Sequence, residues 1–165
     1  MSWVVSSMAL PLEMFVYRIA RRAYIDDLTG TGARLYGGRW NHQGTAMVYA
    51  SESRSLAILE YLVHLPSAFA PTDLAIATLE IPDDIPAEDL TIDGLPEDWR
   101  RFPAPHQCAD LGTSWVRSRQ ALLLRVPSAI VEEEFNVLIN PEHPHMPSVT
   151  ISSVDPYAFD DRLMK

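Results

Sequence analysis

Prolines set the length of nearly every regular element this chain can form. Thirteen of them punctuate 165 residues. Each removes a backbone donor and fixes φ near −65°, so apolar runs must start or stop around them. Residues 73–81 alternate as a strand and end at Pro82, residues 53–65 carry helical spacing and end at Pro66, and residues 121–126 read as a buried strand closed by Pro127 and Ser128. Ser51 or Ser53 is the N-cap candidate of the helix. Residues 14–19 supply a first strand and 47–50 a short one. Residues 20–45 read as a long loop. Five prolines make 82–105 a surface excursion with one helical turn near 97–101. A second helix is expected over 108–118, a short strand over 128–133, and a last strand over 148–153. Residues 136–140 lead into the Pro- and His-rich turn 141–147. Many short strands with two modest helices imply an α+β sandwich rather than a wound parallel sheet.

With 47% hydrophobic and 21% charged residues, one compact mixed domain is expected. It is assigned to residues 14–165, with residues 1–13 as an N-terminal extension. That extension is apolar but lacks a basic n-region and a cleavage site, so it does not read as a signal peptide. No stretch approaches the roughly 20 apolar residues of a membrane span. The single cysteine, Cys108, excludes an intramolecular disulfide and a cysteine-rich zinc site, which fits a reducing, cytoplasmic setting.

A formal charge of −9 argues against a surface built for nucleic-acid phosphate. Lys165 is the sole lysine, so twelve of the thirteen basic residues are arginines. Arginine holds phosphate or carboxylate with a two-pronged fork, which suits a pocket for a small anion within an acidic protein.

The chemistry concentrates in Tyr36-Gly37-Gly38-Arg39-Trp40-Asn41-His42-Gln43-Gly44 and the apolar stretch after it. Glycines beside an arginine and an aromatic let a backbone approach a ligand closely. The spacing is neither a P-loop nor a dinucleotide fingerprint. On the following helix, Ser53, Ala57, Glu60 and His64 share one narrow strip, and apolar residues cover the rest of a largely buried helix. Glu60 is therefore a lone acid that faces a ligand, an arginine or solvent. The bland alternatives are a solvated strip for Glu60, a structural role for Arg39 on loop carbonyls, a core place for Tyr49, and turn geometry for the glycines. His143 and His145 flank Pro144 without an evident third ligand, so no metal is expected. Ser128 lacks the elbow of a serine nucleophile.

The stretches Val16-Tyr17-Arg18-Ile19, Tyr36 to Asn41 with Gly44, Val48-Tyr49-Ala50-Ser51, Leu59-Glu60, Val126-Pro127-Ser128, Asn136 to Pro141 and Phe159 to Leu163 resemble the RES-domain proteins, toxins of bacterial toxin–antitoxin pairs. The resemblance implies a fold like the ADP-ribosyltransferases of the diphtheria-toxin type, and consumption of NAD as substrate by hydrolysis, phosphorolysis or transfer of ADP-ribose to a protein such as a nucleotide-synthesis enzyme. It implies Arg39, Glu60 and Ser128 as the arginine, glutamate and serine of the family name, with Arg18 a second candidate arginine. Glu60 and Arg39 are then the catalytic pair. Arg18, Gly37, Gly38, Arg39, Tyr49, Ser51 and Ser128 bind the dinucleotide, Tyr49 by stacking on nicotinamide. The partner implied is an Xre-type antitoxin that covers the cleft and carries any DNA contact.

Overall fold

Seven strands form one hydrogen-bonded sheet in a computed structural model that describes residues 13–66 and 69–165. In chain order the elements are β1 (Met14–Arg21), α1 (Thr31–Tyr36), β2 (Val48–Ser51), α2 (Arg54–Leu62), β3 (Leu74–Ile81), β4 (Ala87–Asp89), α3 (His106–Ser118), β5 (Leu123–Pro127), β6 (Phe135–Ile139) and β7 (Thr150–Tyr157). The sheet order is β4-β5-β6-β2-β1-β3-β7, antiparallel throughout except for the parallel pair β4–β5. The expected N-terminal extension lies, except for Glu13, outside the described residues.

The sheet has a narrow waist. β1 and β2 share a single register pair, Tyr17 with Ser51, whereas β1 and β3 pair along eight residues. On one side of the waist, Val16, Ala75, Ala77, Leu79 and Ile81 face inward; on the other, Val48, Ala50, Leu123, Val137 and Ile139 do. These side chains form one cluster to which no α-helix contributes, yet every fully buried member is at most 6% exposed. The two halves of the sheet therefore cover each other, which is the sandwich expected from the sequence. Burying each valine, leucine or isoleucine of this set contributes about 1.5–3 kcal/mol.

Alternation along β5, β6 and β2 sends the intervening residues to the opposite face. There Leu124, Val126, Leu138 and Met47 meet Cys108, Trp115 and Val116 of α3, together with Trp40 and Trp99. α3 contacts the Trp40 segment through Gly112, where a Cβ would lie 1.8 Å from the Trp40 carbonyl oxygen. Any side chain at position 112 would push the loop off the helix.

Several expectations change. Residues 20–45 are not one loop, since they hold α1, whose six residues include no buried side chain and so give no periodic signal. Residues 82–105 hold β4, an exposed three-residue edge strand bearing Glu88 and Asp89. No strand forms over 128–133: Ser128 Oγ accepts the N–H groups of Ile130 and Val131, and Glu133 adopts φ 63°, so the segment is a turn. The strand lies at Phe135–Ile139 instead. β7 continues past Ser153 to Tyr157, since Pro156 costs no ladder bond on an edge strand. α2 starts where expected, with Ser53 Oγ accepting from Leu56 N at 3.0 Å, but ends at Leu62. It is also less buried than its composition suggests: only Leu56 and Ala57 are buried, and its main contacts run along β1 and β2.

Candidate active site

A cleft of about 1050 Å³ is lined from both sides of the β1–β2 waist, by residues 17–19 of β1 and 49–51 of β2. Its volume matches the largest small-molecule pockets, roughly 1,000 Å³. Arg18, Gly37, Gly38, Arg39, Tyr49, Ser51 and Glu60 all line it. Ser128 lies behind the wall, 2% exposed, with its hydroxyl turned onto Glu60. Three of the four residues on the strip read from helical spacing, Ala57, Glu60 and His64, face the cleft together, His64 from just past the end of α2; Ser53 caps the helix instead.

Glu60 is held on one oxygen. Ser128 Oγ donates to Oε1 at 2.8 Å and Asn136 Nδ2 donates to the same atom at 2.7 Å. Asn136 Oδ1 in turn accepts from Ser51 Oγ at 2.6 Å. Among the described residues Glu60 has no cationic partner and Oε2 has no hydrogen bond. The structure therefore contains no Arg39–Glu60 ion pair, which would have made this a structural bridge. A carboxylate fixed by neutral donors keeps its charge available for whatever enters the cleft.

The arginine side is built differently. Arg39 Nη1 donates to the carbonyls of Trp99 at 2.5 Å and Arg101 at 3.0 Å, which fixes the guanidinium without neutralising it. The structural role weighed for Arg39 is thus present, but on a neighbouring segment, and it leaves the charge free. Arg18 Nη1 is anchored in the same way on the carbonyls of Tyr24 and Ile25. Burial holds its pKa below the usual guanidinium value, opposed by the nearby Asp27 and Asp26 carboxylates. A third lining arginine, Arg100, is already paired with Glu132 at 2.7 Å. Glu60 is the only acidic side chain among the lining residues.

The loop is held internally. Asn41, 1% exposed, donates through Nδ2 to the carbonyls of Ala33, His42 and Thr45, and its Oδ1 accepts from Tyr49 Oη at 2.6 Å. Tyr49 Oη also accepts from Trp40 N at 3.1 Å. Burial pushes the Tyr49 hydroxyl far above its ordinary pKa, so it stays a donor. Gly38 makes room for that hydroxyl, since a Cβ there would lie 2.7 Å from it. The N–H groups of Gly37 and Gly38 bond Ala33 O at 2.8 Å and Asn41 O at 3.0 Å, so these glycines offer close approach rather than free donors. Trp40 borders the cleft but is only 3% exposed, its ring packed in the core with Trp99 and α3, a place set by the long-range contact with Gly112.

Sequence reasoning missed Asn136. The signal was present, as asparagine is depleted in strands and this one interrupts an apolar run. Its cross-strand partner Ser51, however, follows only from the β2–β6 register. Tyr17, Tyr61 and Phe102 also line the cleft without a sequence cue. Among the described residues no group of three or more His, Cys, Asp or Glu side chains is placed to hold a metal, and no helix is long and apolar enough to cross a membrane. His143 accepts the His145 N–H at Nδ1, which gives the histidine turn a structural job.

A family model described as RES domain matches residues 15–160. The Prs ADP-ribosylating toxin of Sphingobium sp. (strain YBL2) is 42% identical over 148 residues, covering 88% of this chain and 92% of that protein. A Toxin Res of Yersinia enterocolitica is 42% identical over 153 residues, covering 91% of this chain and 99% of that protein. Among solved structures, a chain of the M. tuberculosis MbcT–MbcA toxin–antitoxin complex superposes with a TM-score of 0.73 over 90% of this chain and 86% of that one, at 20% identity. At that identity the likeness is one of fold.

Proposed function

This chain belongs to the RES-domain family, and from that premise we propose that it is the toxin of a toxin–antitoxin pair and consumes NAD by breaking the nicotinamide–ribose bond within a single domain of residues 14–165. The observation that carries this reading is Glu60, an uncompensated carboxylate with one oxygen fixed and the other free in a cleft that is otherwise basic.

When the bond from ribose C1′ to the pyridinium nitrogen breaks, its electron pair goes to nicotinamide, which leaves neutral. Positive charge then develops on the ribose. A carboxylate beside the ribose stabilises that charge more in the transition state than in the bound substrate, which is what accelerates the step. Arg39, fixed but not neutralised, holds the pyrophosphate, with Arg18 as the second cation. Gly37 and Gly38 let the dinucleotide approach the loop backbone. The Tyr49 ring stacks on nicotinamide while its hydroxyl stays tied to the loop. Ser128 and Ser51 act behind Glu60.

ADP-ribose then passes to water, which loses a proton, or to phosphate. The name of the 42%-identical Sphingobium relative favours a second reading, in which a protein side chain is the acceptor. The exposed rim formed by Tyr36, Val63 and Phe102 suits an apolar segment of an Xre-type antitoxin closing the cleft in the cytoplasm.

Purified toxin, freed of antitoxin, is incubated with NAD with and without phosphate, beside Glu60→Gln. Free nicotinamide with ADP-ribose or its phosphate is the expected product, formed on the order of 10²–10³-fold more slowly by the variant. Intact NAD after long incubation would overturn hydrolysis and phosphorolysis. Labelled NAD added to a lysate separates the readings, because a discrete labelled protein band marks transfer.

A further inference from the structure

We infer that Asn136, held in turn by Ser51, is a positioning residue that fixes which oxygen of Glu60 faces the substrate. The inference rests on the reading of Glu60 given above. Its basis is donor and acceptor accounting in a buried network. A carboxylate only accepts, so the Asn136 atom 2.7 Å from Glu60 Oε1 is the amide nitrogen. The amide oxygen then faces Ser51 Oγ at 2.6 Å, and that hydroxyl must donate. Ser128 has no freedom either: its oxygen accepts from Ile130 N and Val131 N, each at 3.1 Å, so its single proton goes to Glu60. Both donors converge on Oε1, which leaves Oε2 as the working oxygen.

Ser51 and Asn136 are a register pair between β2 and β6, and Ser51 is 4% exposed, so the amide is locked by strand pairing and not by a flexible loop. With Ser51 removed, the amide is free to flip and turn its oxygen towards the carboxylate, which would repel Glu60 from its present place. A group placed about 1 Å off its productive position loses on the order of a hundredfold in rate.

The test measures NAD turnover by Asn136→Ala, the isosteric Asn136→Asp, Ser51→Ala and Glu60→Gln. Both Asn136 variants should lower kcat about ten- to a hundredfold while KM for NAD stays within about twofold, as expected when only transition-state interactions are lost. Ser51→Ala should lower kcat several-fold, and Asn136→Ala should cost nothing further in the Glu60→Gln background. An Asn136 variant with wild-type kcat, or one whose kcat and KM worsen together with its melting temperature, overturns the inference. If neither Asn136 variant folds, Ser51→Ala decides, and an unchanged kcat overturns the inference. Full activity of Glu60→Gln would instead sink the underlying reading of the site. An inactive Glu60→Gln beside unimpaired Asn136 variants would sink the positioning role alone.

Discussion

The two walls of the cleft hold their charges by opposite means. On the arginine wall, guanidinium groups rest on backbone carbonyls, Arg39 on Trp99 and Arg101, Arg18 on Tyr24 and Ile25. On the glutamate wall, one carboxylate rests on side chains, Ser128 and Asn136, with Ser51 behind them. Backbone anchors survive most substitutions of the residues that supply them, whereas side-chain anchors vanish with a single change. The arginine wall should therefore tolerate mutation of its supports better than the glutamate wall does.

The largest effect is expected on the glutamate wall. Glu60→Gln should keep the shape and the Ser128 contact but lose the charge, lowering kcat on the order of 10²–10³-fold. Binding of NAD and thermal stability should change little. A loss of affinity matching the loss of rate would mean that Glu60 binds the ground state, and the contrast between the walls would collapse.

Arg39→Lys probes the other wall. The ammonium keeps the charge but loses the planar fork, so KM for NAD should rise about tenfold or more. kcat should stay within a few-fold. If kcat falls as steeply as for Glu60→Gln, both walls serve the transition state and the division of labour is wrong.

The same contrast explains what the sequence made legible. Tyr36 to Gly44 is contiguous, so its site-like composition could be read directly, and Glu60 stood out as one acid on an apolar helix. The glutamate wall is assembled from residues 60, 128 and 136, and its order depends on the pairing of β2 with β6. No local pattern encodes that register, so Asn136 stayed hidden and residues 128–133 read as a strand. Trp40 shows the same limit, since the aromatic beside Arg39 gives no local sign that it packs in the core. Its actual place is set by the close approach to Gly112 on α3, far along the chain. Elements without apolar periodicity, α1 and β4, were invisible for the same reason: they bury too little to leave a pattern.

Tyr49→Phe separates loop support from ligand contact. It removes the bonds to Asn41 Oδ1 and Trp40 N while leaving the ring in place. Stability should fall by about 1 kcal/mol, read as a lower urea midpoint. NAD affinity should hold if the ring alone meets nicotinamide. A large loss of affinity with unchanged stability would give the hydroxyl a direct role and break the internal-scaffold picture of the arginine wall.

The smallest expected effect sits beside Arg18. Asp27 accepts from Thr29 N at 2.9 Å and from its hydroxyl, and these bonds, ahead of the charge on Arg18, hold its pKa below the ordinary carboxylate value. A depressed folded-state pKa means that the unfolded chain takes up the proton first as pH falls. The stabilisation is thus complete above the unfolded pKa, near 4, and is lost as pH drops through the lower folded value. Because Asp27 is only half-buried, solvent screens part of this contribution. Urea midpoints for wild type and Asp27→Asn should differ slightly at pH 6, and the gap should narrow as the pH falls below about 4. A gap that stays constant across that range would assign the Asp27 contribution to its shape in the turn rather than to its charge, and Arg18 would then depend on its two carbonyl anchors alone.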